Sequence, residues 1–158
     1  MALEKAGKTV DALDAYEQWV KAYPRHPRAN EVWLIVAQKR EKGEELADAA
    51  DAYAHVRDDA HRPAALFAAG LLREKLKQPQ LAARHYEDLR ACRPAKNAER
   101  LRGLVHLGLI YEVLDQPVKA MGAYGEVLKL APRDGEDFKT AAQRLEGLAK
   151  DGSLLGKR

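Results

Sequence analysis

The chain of 158 residues contains a single cysteine, Cys92, which excludes an internal disulfide and a cysteine-rich metal site. No apolar run approaches the roughly 20 residues that a membrane-crossing helix requires. Residues 1–5 also lack the apolar stretch of a secretory signal. An excess of one charge is missing too: 27 basic residues face 24 acidic ones, a net of +3. The basic residues are interspersed with Glu and Asp, so no long cationic face forms and nucleic acid is disfavoured as a ligand. Aromatic residues make up only 6% while alanine is plentiful, a bias that suits helices packed closely through small side chains. The sequence has no glycine-rich phosphate loop, no G-x-S-x-G elbow and no H-E-x-x-H pair. These absences point away from an enzyme and from a bound cofactor.

What is present is a recurrence. An alanine is followed by an aromatic residue four positions on, an apolar residue three further, and usually a proline five beyond that. The frame runs Ala12, Tyr16, Trp19, Pro24, then Ala49, Tyr53, Val56, with His61 in the proline place. It returns as Ala82, Tyr86, Leu89, Pro94 and as Ala120, Tyr124, Val127, Pro132. Steps of 37, 33 and 38 residues between the alanines mean one structural unit used repeatedly.

Proline and glycine divide the chain into helical lengths, and no period-two alternation suggests a strand. Residues 9–23 carry Val10, Leu13, Tyr16 and Val20 on one face, and Pro24-Arg25-His26-Pro27 stops that helix. A second helix is expected from Ala29 to about Lys42, ending at Gly43, and a third over about 45–58. Pro63 opens a fourth that reaches about Lys77, and Gln78-Pro79 starts a fifth that ends near Ala91. Asn97 is a plausible cap for a sixth, followed by Arg100 to Leu114. The seventh follows Asp115-Gln116-Pro117 to Leu130. Asp134 is expected to cap a last helix through Leu148, and residues 151–158 read as a frayed tail. Short connections force consecutive helices antiparallel, and stacking the pairs buries faces that one pair leaves open.

On these residues the chain resembles the tetratricopeptide-repeat family. Residues 101–134 carry the match best, with Leu107-Gly108, Tyr111, Ala120, Tyr124, Val127 and Pro132 in the family's places. Residues 30–62 supply its tryptophan as Trp33 and put Ala37 in its glycine place, but hold Arg40 where tyrosine is usual. Residues 63–96 keep Gly70, Ala82, Tyr86, Leu89 and Pro94 and hold Arg73 in the tyrosine place. The resemblance implies an all-α fold: a right-handed superhelix of antiparallel helix pairs, with a capping helix at 135–150. Residues 1–29 read as a partial repeat, the second helix plus a remnant of the first, as in a fragment of a longer chain. It further implies a bacterial protein-interaction scaffold, in the cell envelope or the cytoplasm.

In this family the first helices line a concave groove that binds partner segments. Carried over residue by residue, the groove is expected at Leu34, Gln38, Glu41, Phe67, Leu71, Glu74, Arg102, Val105, His106 and Leu109, with Glu31, Ile35, Ala64, Ala68 and Glu112 beside them. Its middle is apolar, which suits a peptide or helix of a protein partner, and Glu41, Glu74 and Glu112 form an acidic row. The family's carboxylate clamp is missing, since Leu34, Gln38 and Ala68 stand in its places; only Arg102 and His106 retain cationic character. Alternatives are a homodimer through the groove or the first half-repeat, a groove filled by the chain's own last helix, and a regulatory domain of a larger enzyme.

The tyrosines Tyr16, Tyr53, Tyr86 and Tyr124 are assigned to packing, with Trp19 partly exposed. His26 and His85 are assigned to the surface, and His55 and His61, six apart around Asp58 and Asp59, to a solvated helix end rather than a metal site. Cys92 between basic neighbours lacks a positioned base and is not read as a nucleophile.

Overall fold

A computed structural model describes residues 2–93 and 97–155, with side chains over 12–93 and 97–152. Among the described residues there are eight helices and no strand. They are α1 (Ala2–Ala22), α2 (Ala29–Lys42), α3 (Leu46–Ala54), α4 (Arg62–Lys75), α5 (Pro79–Arg90), α6 (Ala98–Val113), α7 (Pro117–Leu130) and α8 (Glu136–Leu155). Pro63, Pro79 and Pro117 lie in the first turns of α4, α5 and α7, where the missing N–H costs nothing. Asn97 caps α6, its side-chain oxygen accepting from the Arg100 N–H at 3.1 Å.

The three turns inside the helix pairs are built alike. Glu44, Lys77 and Asp115 have φ of 62°, 57° and 54°, each just past the end of a first helix. Around Lys77 the Gln78 N–H reaches the Arg73 carbonyl and the Lys77 N–H that of Glu74, both at 2.9 Å, the Schellman closure of a helix C-terminus. The same two bonds recur around Glu44 and Asp115. Gly43, expected to end α2, keeps a φ of −81°, so the left-handed residue is Glu44 rather than the glycine. The stretches between pairs, residues 23–28, 55–61 and 91–97, are of similar length, and part of the unevenness of the repeat steps lies in the helices: α6 has 16 residues where α2 and α4 have 14. Pro94, the last member of the third frame, and Ala95 lie outside the described residues.

Four boundaries differ from the reading of the sequence. Residues 2–22 form one continuous helix, so the expected remnant is not a separate element. The third helix ends at Ala54, because Asp58 organises the following turn, accepting from the His61 N–H at 3.0 Å and lying 2.6 Å from its Nδ1. At the last helix Asp134 is not the cap: α8 begins at Glu136, and the Gly135 carbonyl accepts from Lys139 N–H at 3.2 Å. The expected tail continues α8 to Leu155, and residues 156–158 lie outside the description.

Helices pack in sequence order, α2 on α3, α4 on α5 and α6 on α7, with α3, α5 and α7 each also against the next first helix. This is an α-solenoid. Two apolar clusters run through it, one around Val20, Val36, Ala49 and Val56, the other around Leu66, Tyr86, Leu104, Leu107, Tyr124 and Val127. Glycine sets the closest approaches. A Cβ on Gly108 would lie 2.5 Å from Tyr124 Cζ and nearer still to Cε1; one on Gly70 would meet the Tyr86 ring in the same way.

First helices also touch one another, α4 against α6 and α6 against α8, whereas second helices make no comparable contact. The stack therefore curves with the first helices on its inner side. The last helix continues that inner row: it packs on α7 and α6 and does not lie along the groove. Its Ala141 is fully buried, and Leu145 and Leu148 rest on the second cluster.

Candidate partner-binding groove

The inner face is lined by α2, α4 and α6. Leu34, Phe67, Ala68, His106 and Leu109 are half-buried there, Gln38 and Ala64 are exposed, and Ile35 and Leu71 are 37% and 39% exposed. Val105, expected on this surface, is buried in the core. Phe67 is the centre of the face. Its ring stands edge-on to His106 at 5.5 Å, is tilted against Tyr86 at 6.1 Å, and carries the Arg102 guanidinium 5.2 Å above its centroid. The guanidinium over the ring adds a cation–π attraction and keeps a charged group at the edge of an apolar spot. Among the described residues Arg102 otherwise pairs only with Glu99, at 3.7 Å.

The acidic row is engaged from within. Tyr53, Tyr86 and Tyr124 donate their hydroxyls to Glu41, Glu74 and Glu112, at 2.8, 2.5 and 2.5 Å, each tyrosine 12 residues after its glutamate. Each bond ties a second helix to its own first helix. His106 Nδ1 adds a contact of 2.8 Å to Glu74, and Arg144 of α8 holds both oxygens of Glu112 at 3.0 and 2.5 Å. Burial opposes ionisation of Glu74, but the bonds from His106 and Tyr86 outweigh it and keep this carboxyl below its usual range. The row therefore serves the scaffold first. Its signal was present in the sequence as a threefold Glu–Tyr spacing of 12 residues, which the reading of single frames passed over.

A second set of ties joins each first helix to the second helix before it. Tyr111 donates to Glu87 at 2.7 Å; burial and that carboxylate push its phenol up to about 12. Where the family's tyrosine is replaced, Arg40 donates to Asp14 and Glu17, both at 2.9 Å, as well as to Glu45. Arg73 donates to Asp51 and, at 2.9 Å, to Gln78. Arginine thus does the work of tyrosine wherever an acid on the preceding helix can receive it.

A cavity of about 620 Å³ lies away from this face, between α3 and α5 on the outer side. Its walls mix Asp48, Asp51, Arg73, Arg84, His85 and Asp88. With acids and bases opposed, and Arg73 already bonded to Asp51, it has no chemistry of one sign to offer a ligand. His85 is not on the surface as expected: it is 8% exposed, lining the cavity between α3 and α5 beside Arg73. Burial pushes its imidazole down, and the nearby Arg73 adds to this. His55, stacked on Trp33 at 4.3 Å, is shifted in the same direction by burial.

A histidine that is harder to protonate folded than unfolded binds more protons in the unfolded chain. Stability is therefore full above the unfolded value near 6.5 and is lost as pH falls through that range. The midpoint of thermal unfolding should fall between pH 7.5 and 5.5, and His85→Gln should flatten the fall. An unchanged slope in the variant would show that His85 is not the group responsible.

Tyr16 is the exception among the frame tyrosines. It is 50% exposed, whereas Tyr53, Tyr86 and Tyr124 are buried; among the described residues no helix precedes α1 to pack over it. His26 is exposed as expected, but its ring stands edge-on to Trp19 at 4.9 Å. Cys92 is half-buried against the second cluster. Among the described residues no group of three or more His, Cys, Asp and Glu could hold a metal ion, and no helix is long and apolar enough to cross a membrane.

No family model and no curated protein matches the sequence. Two crystal structures of MamA resemble the fold. One shows 18% identity and a TM-score of 0.55, covering 98% of this chain and 95% of that one. The other shows 20% identity and a TM-score of 0.57, covering 98% of this chain and 82% of that one. At such identity the likeness establishes the all-helical repeat architecture.

Proposed function

We propose that this chain is a non-catalytic scaffold whose inner face receives a peptide or helix from a partner protein, as part of a bacterial multiprotein assembly. One observation carries the reading. Leu71 is exposed and Phe67 half-buried on a face where Glu41, Glu74, Glu112 and His106 are bonded within the chain. Such a face offers apolar anchoring beside carboxylates already satisfied from within, the pattern of a helix-in-groove or extended-peptide site. Arg102, on the rim beside Phe67, favours a partner with a carboxylate next to its apolar anchor.

A random-peptide display library selected against the purified chain tests this. Enriched peptides should pair an aromatic or aliphatic anchor with an acidic neighbour. Phe67→Glu combined with Leu71→Glu should weaken their binding at least about a hundredfold, a loss of roughly 3 kcal/mol, while the helical signal is kept. Peptides that bind the double variant as well as the parent would place the site elsewhere.

A further inference from the structure

The two ends of the stack carry complementary halves of one helix pair. In each complete pair a small residue, Ala37, Gly70 or Gly108, lies four places before the glutamate that receives the tyrosine hydroxyl. The residue just before it, Val36, Ala69 or Leu107, is fully buried. In α8 the same series is Ala141, Ala142 and Glu146. Ala141 is fully buried, while Ala142 is half-buried and Glu146 exposed. This helix carries the pattern of a first helix, and among the described residues no second helix follows it.

At the other end, α1 carries the frame of a second helix, and among the described residues no first helix precedes it. Its Ala12 and Tyr16 are exposed and its Trp19 is half-buried, whereas the equivalent alanine, tyrosine and apolar residue of all three complete pairs are buried. Between α1 and α2 lies an open trough of about 450 Å³, mostly apolar and lined by Ala15, Tyr16, Trp19, Val32 and Ile35. A first helix would occupy this place.

We propose that copies of this chain associate head to tail, α8 of one copy filling the trough of the next, so that Tyr16 packs over Ala142 and donates its hydroxyl to Glu146. The same contact repeated between copies continues both the helical stack and the inner face. It is heterologous, joining two different surfaces, so it propagates into open chains or rings rather than closing as a two-fold dimer. Burial of an exposed tyrosine and half-exposed tryptophan drives it, and the Tyr–Glu bond sets the register as it does inside the chain.

The test is sedimentation velocity or light scattering over a concentration series of the intact chain. Mass should rise beyond a dimer with concentration. Tyr16→Glu blocks one end and Ala142→Glu the other; each alone should weaken association about thirtyfold or more, the scale of a lost interface hot spot. Glu146→Lys, at an exposed position, is the second tail variant should Ala142→Glu lose its helical signal. The decisive arm mixes Tyr16→Glu with the tail variant. Each protein retains one intact end, so the mixture should form a one-to-one pair and stop. A monomer at every concentration overturns the proposal and leaves the trough to a helix from another protein or a flanking segment. A dimer that neither variant weakens, or a mixture that fails to pair, also overturns it.

Discussion

Gly108→Val is expected to destabilise the chain by about 3 kcal/mol, the upper range for overpacking a filled site. Even the first carbon of the new side chain would stand 2.5 Å from Tyr124 Cζ. The ring has nowhere to go: Tyr124 is fully buried and its hydroxyl is fixed to Glu112, which Arg144 holds from the other side. Gly108→Ala should also destabilise, although alanine gains up to about 1 kcal/mol over glycine in a helix. Gly122 and Gly125 provide the control on α7. Nothing lies within 4 Å of a Cβ built on either, so Gly122→Ala and Gly125→Ala should each stabilise by about 0.5–1 kcal/mol. Urea unfolding of the four variants checks the contrast. A stabilised Gly108→Ala would show that the helix pair can widen, and would remove glycine as the cause of the close packing.

Tyr86→Ala is the second large effect, at about 3–5 kcal/mol for an aromatic deleted from a packed interior. Its ring is fully buried, fills the space over Gly70, and backs Phe67 on the inner face. Tyr86→Phe separates the two roles of the residue. It keeps the packing and loses the hydroxyl bond to Glu74, a cost of about 1.5–3 kcal/mol for a bond to a charged acceptor. Glu74 would then keep His106 alone and would titrate higher than in the parent. Acid unfolding monitored by circular dichroism should begin at a higher pH in Tyr86→Phe. An unchanged onset would mean that the Tyr86–Glu74 bond does not hold the carboxylate charged.

Much of the scaffold was legible because its cause is local and repeated. The alanine-to-apolar frame located every second helix, and the prolines at 63, 79 and 117 opened helices where the structure opens them. Arg40 and Arg73 were visible only as departures from the tyrosine pattern. Their acids lie 22–26 residues earlier, and whether such groups meet depends on how two helices cross. The groove residues were only partly legible for the same reason. Glu41, Glu74 and Glu112 read as an acidic row of the groove, yet each accepts from a tyrosine of its own pair, and Val105 read as surface but is buried.

The sequence by itself determined that this is a repeated all-helical stack. Periodicity, proline placement and the small-residue frame act through backbone geometry and burial, which nearby residues settle. Only the tertiary structure decided which copies of the frame are complete. Tyr16, Tyr86 and Tyr124 are the same residue in the same local frame, but one is half exposed and two are fully buried. What separates them is the presence of a first helix packed against the frame, a long-range contact that residues within the frame do not encode.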